Sequence, residues 1–226
     1  MTSRKDELAS NLADVEARIT AALAGRDRSE ITLIVVTKTF TVEDARLLYD
    51  LGVRHFGENR DHEGAEKAPQ LPGDAHWYFQ GQIQGRKISS ITEWASTILS
   101  LDSRDHGRKF AKVMEEKALD RSFFAQVNLE PERNDRGGVA PDQLLEFISD
   151  CPVTISGLMC VAPMERDPYS AFLQIRDLRT SLQSEGLHSV TGLSIGMSGD
   201  FEAAIHAGAT HIRVGSSILG SRTPVA

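Results

Sequence analysis

Apolar runs separated by amphipathic segments recur along the whole chain. The first run, residues 31–38, is almost wholly aliphatic and β-branched until its end, which is typical of a strand buried on both faces of a parallel sheet. Before it, apolar residues spaced three and four apart predict an amphipathic helix over residues 3–24. The chain therefore opens with a helix and a buried strand.

The pairing of an apolar run with an amphipathic segment repeats to the end of the chain. The later strands are predicted at residues 53–56, 76–79, 97–101, 122–128, 153–158, 190–194 and 210–214. The helices between them are predicted at residues 42–51, 61–68, 85–94, 103–119, 141–149, 168–184 and 200–207. This alternation favours an α/β fold, and closure of eight units into a (β/α)8 TIM barrel with an extra N-terminal helix is the simplest architecture. A doubly wound open sheet is the alternative.

Length and composition fit one barrel domain. The chain has 226 residues and ends shortly after the last predicted strand, so residues 1–226 are expected to form a single domain. The net charge of −7 argues against a general nucleic-acid binder, although a local site can still bind a small anion. No apolar run approaches membrane-spanning length, so no membrane partner is expected.

The N-terminal residues and the cysteines predict a cytoplasmic protein. Residues 1–22 are charged throughout and do not resemble a signal peptide. Cys151 and Cys160 lack a metal-ligand spacing and are typical of a reduced protein. No metal site is predicted, and the predicted helices show no dimer stripe, so a monomer is the default expectation.

Lys38 ends the first apolar run and is the first candidate for chemistry. In an α/β barrel every strand directs its C-terminal end to the mouth where the active site lies. A primary amine at that position can form an imine with an aldehyde. Position alone favours the plainer interpretation, in which Lys38 is the solvated end of a strand.

Loops rich in glycine and serine follow the seventh and eighth predicted strands. They are residues 194–199 and 215–217, and each leads into a helical segment. Either loop alone is more simply a turn, but barrel enzymes commonly bind phosphate at these two positions through backbone N–H groups. A phosphate site combined with the amine of Lys38 fits pyridoxal 5'-phosphate, which carries an anion at one end and an aldehyde at the other. A sugar-phosphate aldolase that forms an imine is the alternative.

Polar residues near the predicted mouth have two interpretations each. The segment 56–59 closes the second strand with a glycine turn, after which Glu58 and Asn59 either face a ligand or cap the next helix. Arg213 lies within the eighth strand, where a buried charge needs an ion-pair partner or a ligand. Trp77, in the third strand, is expected to fill the core.

Six segments in a fixed order carry a resemblance to a known family. They are VVTKT at 35–39, FGEN at 56–59, WYFQGQIQ at 77–84, GLM at 157–159, LSIGMS at 193–198 with Asp200, and IRVGSSILG at 212–220. Through them the chain resembles the pyridoxal-phosphate-binding protein family of cofactor homeostasis (the YggS/PROSC family), which is similar in fold to the N-terminal barrel of alanine racemase.

The resemblance implies a role for each candidate site residue. By it, Lys38 carries pyridoxal 5'-phosphate as an internal aldimine, Asn59 lies beside the ring, and Arg213 faces the pyridine nitrogen. The remaining cofactor-binding residues, of which the serines and the glycine would hold the phosphate, are Met197, Ser198, Gly215 and Ser216.

Two positions depart from the family pattern. The residue after the strand-three tryptophan is usually histidine and is Tyr78 here, and the usual Asn-Lys pair is replaced by Arg86 and Lys87. If a replaced family residue tunes cofactor transfer, this protein differs in how fast it handles the cofactor and not in the attachment itself.

The residues favour a cofactor carrier over an enzyme. An arginine at the pyridine nitrogen disfavours its protonation and so weakens the ring as an electron sink. We therefore expect a protein without catalytic residues that buffers pyridoxal 5'-phosphate or delivers it to dependent apoenzymes. The alternative is a small amino-acid racemase that uses this cofactor, with Lys38 as one base and Tyr78 or Cys160 as the second.

Overall fold

The part of the chain that the structure describes, residues 3–133 and 137–220, alternates between helices and strands in this computed structural model. The strands are β1 (Thr32–Val36), β2 (His55–Glu58), β3 (His76–Phe79), β4 (Thr97–Leu101), β5 (Ser122–Gln126), β6 (Ile155–Met159), β7 (Gly192–Met197) and β8 (His211–Val214). The α-helices are α1 (Arg4–Ala22), α2 (Val42–Asp50), α3 (Asp61–Lys67), α4 (Ile88–Trp94), α5 (Arg104–Lys117), α6 (Leu144–Ser149), α7 (Pro168–Ser184), α8 (Phe201–His206) and α9 (Ser216–Leu219). Single turns of 3-10 helix cover Arg28–Glu30, Ala68–Gln70, Gly85–Lys87 and Pro141–Gln143.

The strands form a closed parallel barrel. Their order around it is β1 to β8, and β8 completes the circle by pairing with β1. The predicted (β/α)8 architecture is therefore confirmed, together with the extra helix before β1, and the alternative of an open sheet is wrong. Because the strands run parallel, their C-terminal ends meet at one rim.

Several strands are shifted along the chain relative to their prediction. β2, β6 and β7 each begin two residues later than predicted, whereas β1 and β5 each end two residues sooner. The cause is visible before β2, where the N–H of Val53 donates to the carbonyl of Leu48 at 3.0 Å and so closes the C-terminal end of α2. Val53 is buried against the core as part of that helix end, and its apolar character is not a strand signal.

Two apolar layers stabilise the barrel. The smaller layer lies inside it and consists of Ile34, Tyr78, Leu99, Phe124 and Met159. The larger layer lies between the sheet and the helices. Trp77 belongs to the larger layer and stacks on Phe56 with ring centroids 5.1 Å apart, which confirms its predicted position in the core.

Helix α1 holds the last helical turn of the described chain. Ser3 begins α1 with a capping box that it forms with Asp6. Arg4 then donates a hydrogen bond to the carbonyl of Leu219 at 3.0 Å, and Asn11 donates to the carbonyl of Ile218 at 2.9 Å. The N-terminal helix thereby fixes α9, which follows β8 at the rim.

No helix in residues 3–133 and 137–220 is long and apolar enough to cross a bilayer. Cys151 is half-buried and Cys160 lies in the core, and neither forms a disulfide. No cluster of histidine, cysteine and carboxylate side chains within the same ranges could hold a metal ion.

Three histidines and a tyrosine meet at the N-terminal end of the barrel. His55, His76 and His211 are the first residues of their strands, and the Nδ1 of His55 lies 3.0 Å from the hydroxyl of Tyr78. Burial, followed by repulsion from His55 and Arg213, lowers the pKa of His211 to about 4. Burial, followed by repulsion from His76, lowers the pKa of His55 to about 4 as well. Both imidazoles are therefore neutral at pH 7.

We expect His211→Gln to reduce the acid sensitivity of the fold. Because the folded pKa of about 4 lies below the ordinary value of 6.5, the unfolded chain binds more protons between these values, and stability is lost as the pH falls through this window. The full shift in the pKa of His211 corresponds to about 3 kcal/mol of unfolding free energy. The loss of unfolding free energy between about pH 7 and about pH 4.5, measured by urea unfolding, should be smaller in His211→Gln than in wild type. The exposed control His188→Gln should follow wild type, and equal losses in all three proteins would contradict the assignment.

Candidate functional site

One cavity of about 430 Å³ opens at the C-terminal rim of the barrel. It is lined by all seven residues that were predicted to bind a cofactor, namely Lys38, Asn59, Met197, Ser198, Arg213, Gly215 and Ser216. The other lining residues, which sequence reasoning did not assign to the site, are Val36, Phe40, Gln80, Met159, Val161, Gly199 and Gly220. Barrel closure thus brings residues from both ends of the chain to one place.

Lys38 lies just past the first strand and not within it. β1 ends at Val36, and Lys38 is half-buried in the turn that follows, so its prediction as the last strand residue is wrong. The turn is tight, because the N–H of Phe40 donates to the carbonyl of Thr37 at 3.0 Å. Thr39 has a φ of +68°, a left-handed conformation that is uncommon for a β-branched residue. The turn places Lys38 in the cavity wall.

The loops after β7 and β8 are joined through Ser198. Its Oγ accepts hydrogen bonds from the N–H of Gly215 at 3.2 Å and the N–H of Ser217 at 3.4 Å. The hydroxyl of Ser217 donates in return to the carbonyl of Ser198 at 3.4 Å. Ser198 and the exposed Ser216 present hydroxyl donors at one end of the cavity, beside the N–H groups whose hydrogen bonds Ser198 accepts. Such a set of donors suits an anion.

Gly196 and Asp200 set the shape of the β7 loop. Gly196 has a φ of +87°, and a Cβ at this position would lie 2.5 Å from the Cβ of Ala204, so only glycine fits here. The Oδ1 of Asp200 accepts a hydrogen bond from the N–H of Met197 at 2.6 Å. Met197 is 38% exposed at the edge of the cavity.

Arg213 is the buried cation of the cavity wall. Its guanidinium donates to the hydroxyl of Ser194 at 2.8 Å, to the carbonyl of the same residue, and to the carbonyl of Cys160 at 2.9 Å. It forms no ion pair with a carboxylate of the described residues. Burial lowers its pKa to about 10, so it stays charged at neutral pH. Of the two predicted alternatives, the internal ion pair is therefore wrong, and Arg213 borders the cavity with no carboxylate of the described residues in direct contact, while Asp200 attracts it from a longer distance.

Asn59 and Gln80 carry unused acceptors in the cavity wall. The Oδ1 of Asn59 and the Oε1 of Gln80 are buried and accept no hydrogen bond from residues 3–133 or 137–220. Asn59 directly follows β2, as Gln80 directly follows β3. Inspecting the first residue after every strand would have found Gln80 from the sequence.

Glu58 is the last residue of β2, and Gly57 before it is also part of that strand. The glycine turn predicted within segment 56–59 is therefore wrong. The side chain of Glu58 is fully buried and does not cap α3; its Oε1 instead accepts hydrogen bonds from Lys67 at 2.7 Å and from the hydroxyl of Thr37 at 2.6 Å. Burial raises the pKa of Glu58 to about 7, because Lys67 and Thr37 offset the loss of solvation only in part.

The proposed second bases lie outside the cavity lining. Tyr78 points to the opposite end of the barrel, where its hydroxyl meets His55, and burial raises its pKa to about 12. The thiol of Cys160 donates to the carbonyl of Val161 at 3.4 Å. Of the other departures from the family pattern, Lys87 pairs with Asp61 at 3.2 Å and Arg86 is exposed.

Comparison with known proteins establishes the family. The profile of the alanine racemase N-terminal domain matches residues 6–223. The pyridoxal phosphate homeostasis protein of Corynebacterium glutamicum is 39% identical over 222 residues, which cover 92% of this chain and 99% of that protein. The chain belongs to the pyridoxal phosphate homeostasis protein family. The resemblance seen in the sequence segments is thereby confirmed.

Solved structures of similar proteins match the barrel along its length. PipY of Synechococcus elongatus, solved with PLP bound, is 30% identical and has a TM-score of 0.83 over 94% of this chain and 100% of its own. Alanine racemase of Clostridium difficile is 16% identical, with a TM-score of 0.68 over 97% of this chain and 58% of its own. The likeness to the racemase shows the shared fold alone.

Proposed function

We propose that this protein binds pyridoxal 5'-phosphate at the rim cavity and serves its homeostasis as a carrier without catalytic activity of its own. The observation that carries the proposal is a single cavity that combines the amine of Lys38 with anion-binding donors at Ser198, Gly215 and Ser216. The cofactor bound to PipY supports the same assignment.

Each part of the cavity suits one functional group of the cofactor. Bound pyridoxal 5'-phosphate supplies an aldehyde that condenses with a primary amine, so that water leaves and a C=N bond replaces C=O. Lys38 provides that amine. The loop of Ser198 and Gly215 would hold the phosphate, and Arg213 would supply a fixed positive charge to the ring.

The unused acceptors of the cavity support the fit. Buried polar atoms are nearly always hydrogen-bonded in folded proteins, yet the Oδ1 of Asn59 and the Oε1 of Gln80 lack a donor among the described residues. A ligand with a ring hydroxyl supplies such a donor. Met197, at the edge of the cavity, would offer the ring an apolar contact.

The residues of the cavity favour a carrier over a racemase. Among the described residues, Lys38 and Arg213 are the only ionisable side chains that line it. Racemisation needs a proton donor and acceptor on opposite faces of the substrate, and the guanidinium of Arg213 cannot serve as a base near neutral pH. We infer a carrier that passes the cofactor to dependent apoenzymes.

The attachment is tested by reduction and mapping. Wild-type protein mixed with pyridoxal 5'-phosphate should develop a visible imine band that borohydride removes, and mass spectrometry should place the reduced adduct on Lys38. Lys38→Ala should lose the band, whereas the control Lys87→Ala should keep it. Labelling spread over surface lysines would overturn the proposal, and a colourless protein with aldol activity would favour the aldolase alternative.

The phosphate site is tested by comparing two ligands. Ser198→Leu should weaken binding of pyridoxal 5'-phosphate by about tenfold or more, because charge-assisted hydrogen bonds to the phosphate are lost. It should leave the weaker binding of pyridoxal, which lacks the phosphate, almost unchanged. The exposed control Ser184→Leu should change neither affinity. Equal loss for both ligands, or no loss for either, would contradict the assigned phosphate site.

The carrier role is tested by incubating the loaded protein with L-alanine and following D-alanine by chiral chromatography. We expect no sustained turnover, since the cavity lacks a second acid–base group. Continuous racemisation that disappears in Lys38→Ala would instead establish the racemase alternative.

A further inference from the structure

Thr37, the residue before Lys38, is held by two buried charged side chains. Its carbonyl accepts a hydrogen bond from the Nζ of Lys67 at 2.9 Å. Its hydroxyl donates to the Oε1 of Glu58 at 2.6 Å. Both partners lie outside the cavity lining, and Thr37 itself is fully buried. The backbone is therefore fixed immediately before Lys38.

Thr39, the residue after Lys38, is held by a third charged side chain. Its N–H donates to the Oε2 of Glu63 at 2.6 Å, and its φ is +68°. A β-branched residue keeps this strained conformation only where its surroundings hold it there. The carboxylate of Glu63 acts at the strained residue itself, so it stabilises the turn that presents Lys38.

Glu58, Glu63 and Lys67 form one buried cluster, termed here the clamp. Lys67 Nζ lies 2.7 Å from Glu58 and 3.8 Å from Glu63, and the three side chains are 0%, 11% and 4% exposed for Glu58, Glu63 and Lys67 respectively. Buried ion pairs contribute little net stability, because desolvation opposes their attraction. Packing alone therefore does not account for these three charges, whereas their directed bonds to the turn do.

We propose that Glu58, Glu63 and Lys67 are positioning residues that fix the backbone on both sides of Lys38 and so hold its amine in the cavity for reaction with the cofactor aldehyde. The proposal rests on the proposed function, in which Lys38 is the reacting amine. The clamp does not touch the cofactor. It acts on the rate at which Lys38 reacts, and not on the affinity for the phosphate or the ring.

Two variants of one residue separate this role from simple packing. Glu63→Met removes the acceptor for the N–H of Thr39, whereas Glu63→Gln keeps an amide oxygen at nearly the same place. A second variant, Glu58→Gln combined with Lys67→Met, removes both charges together, and Glu63 keeps Arg60 as an ion-pair partner at 3.4 Å. Thr92→Val is the control, since it deletes a buried hydroxyl that bonds only within α4.

Two measurements on each folded variant distinguish reaction from binding. The first is the rate constant for the imine band after mixing with pyridoxal 5'-phosphate in a stopped-flow instrument. The second is the dissociation constant of pyridoxine 5'-phosphate, which carries an alcohol in place of the aldehyde and cannot form C=N. Circular dichroism establishes that each variant is folded.

We expect Glu63→Met and the double variant to slow imine formation by about tenfold or more, because misplacement of a reacting group is costly. Glu63→Gln and Thr92→Val should stay within about twofold of wild type, and affinity for pyridoxine 5'-phosphate should be unchanged throughout. Wild-type rates in Glu63→Met and the double variant would overturn the clamp, as would a parallel loss of pyridoxine 5'-phosphate affinity. Failure of wild type to label Lys38 would instead overturn the proposed function.

Discussion

Closure of eight parallel strands into one barrel is the constraint on which the site depends. Pairing of β1 with β8 makes neighbours of the first and last strands of the chain, and parallel order directs every strand end to the same rim. Lys38 and Gly215 therefore line one cavity although they lie at opposite ends of the sequence. An open sheet with the same elements would separate the amine from the anion-binding loops.

The two buried cations of the described residues, Lys67 and Arg213, have different surroundings. Lys67 forms an ion pair with Glu58, so its charge is balanced within the barrel. Arg213 is held by hydroxyl and carbonyl oxygens, which fix its direction without neutralising it. A desolvated cation without a direct carboxylate partner attracts negative charge strongly. The fold thus keeps this charge at the cavity, where an anionic ligand benefits from it.

Topology explains why much of the site was predictable and some of it was not. Apolar periodicity predicted the strands, and the rim rule then placed Lys38, Ser198 and Gly215 at one rim, where they line a common cavity, because the rule needs only their position after a strand. It could not place Glu63 or Lys67, since a charged helical face is usually solvated. Whether α3 turns that face inward depends on tertiary packing. Gly64 is part of that packing: the ring of Trp94 lies so close to it that a Cβ on residue 64 would be only 2.4 Å from the ring. The predicted bounds of β1 and β2 were wrong because apolar residues also occur at helix ends and in turns.

The distribution of polar groups around the cavity argues for holding a reactive aldehyde and not for transforming an amino acid. Enzymes that manipulate protons exclude water and place titratable groups on both sides of the substrate. Here Ser216 and Met197 leave one edge open, and His55, His211 and Glu58, whose pKa values are strongly shifted, lie away from the cavity lining. Of the lining residues, Arg213 has a comparable shift in pKa but stays protonated near neutral pH. An open edge beside a fixed amine allows a second amine to approach and take the aldehyde. In the proposed carrier, retention of the cofactor depends on the loops after β7 and β8, and its release depends on access from solvent.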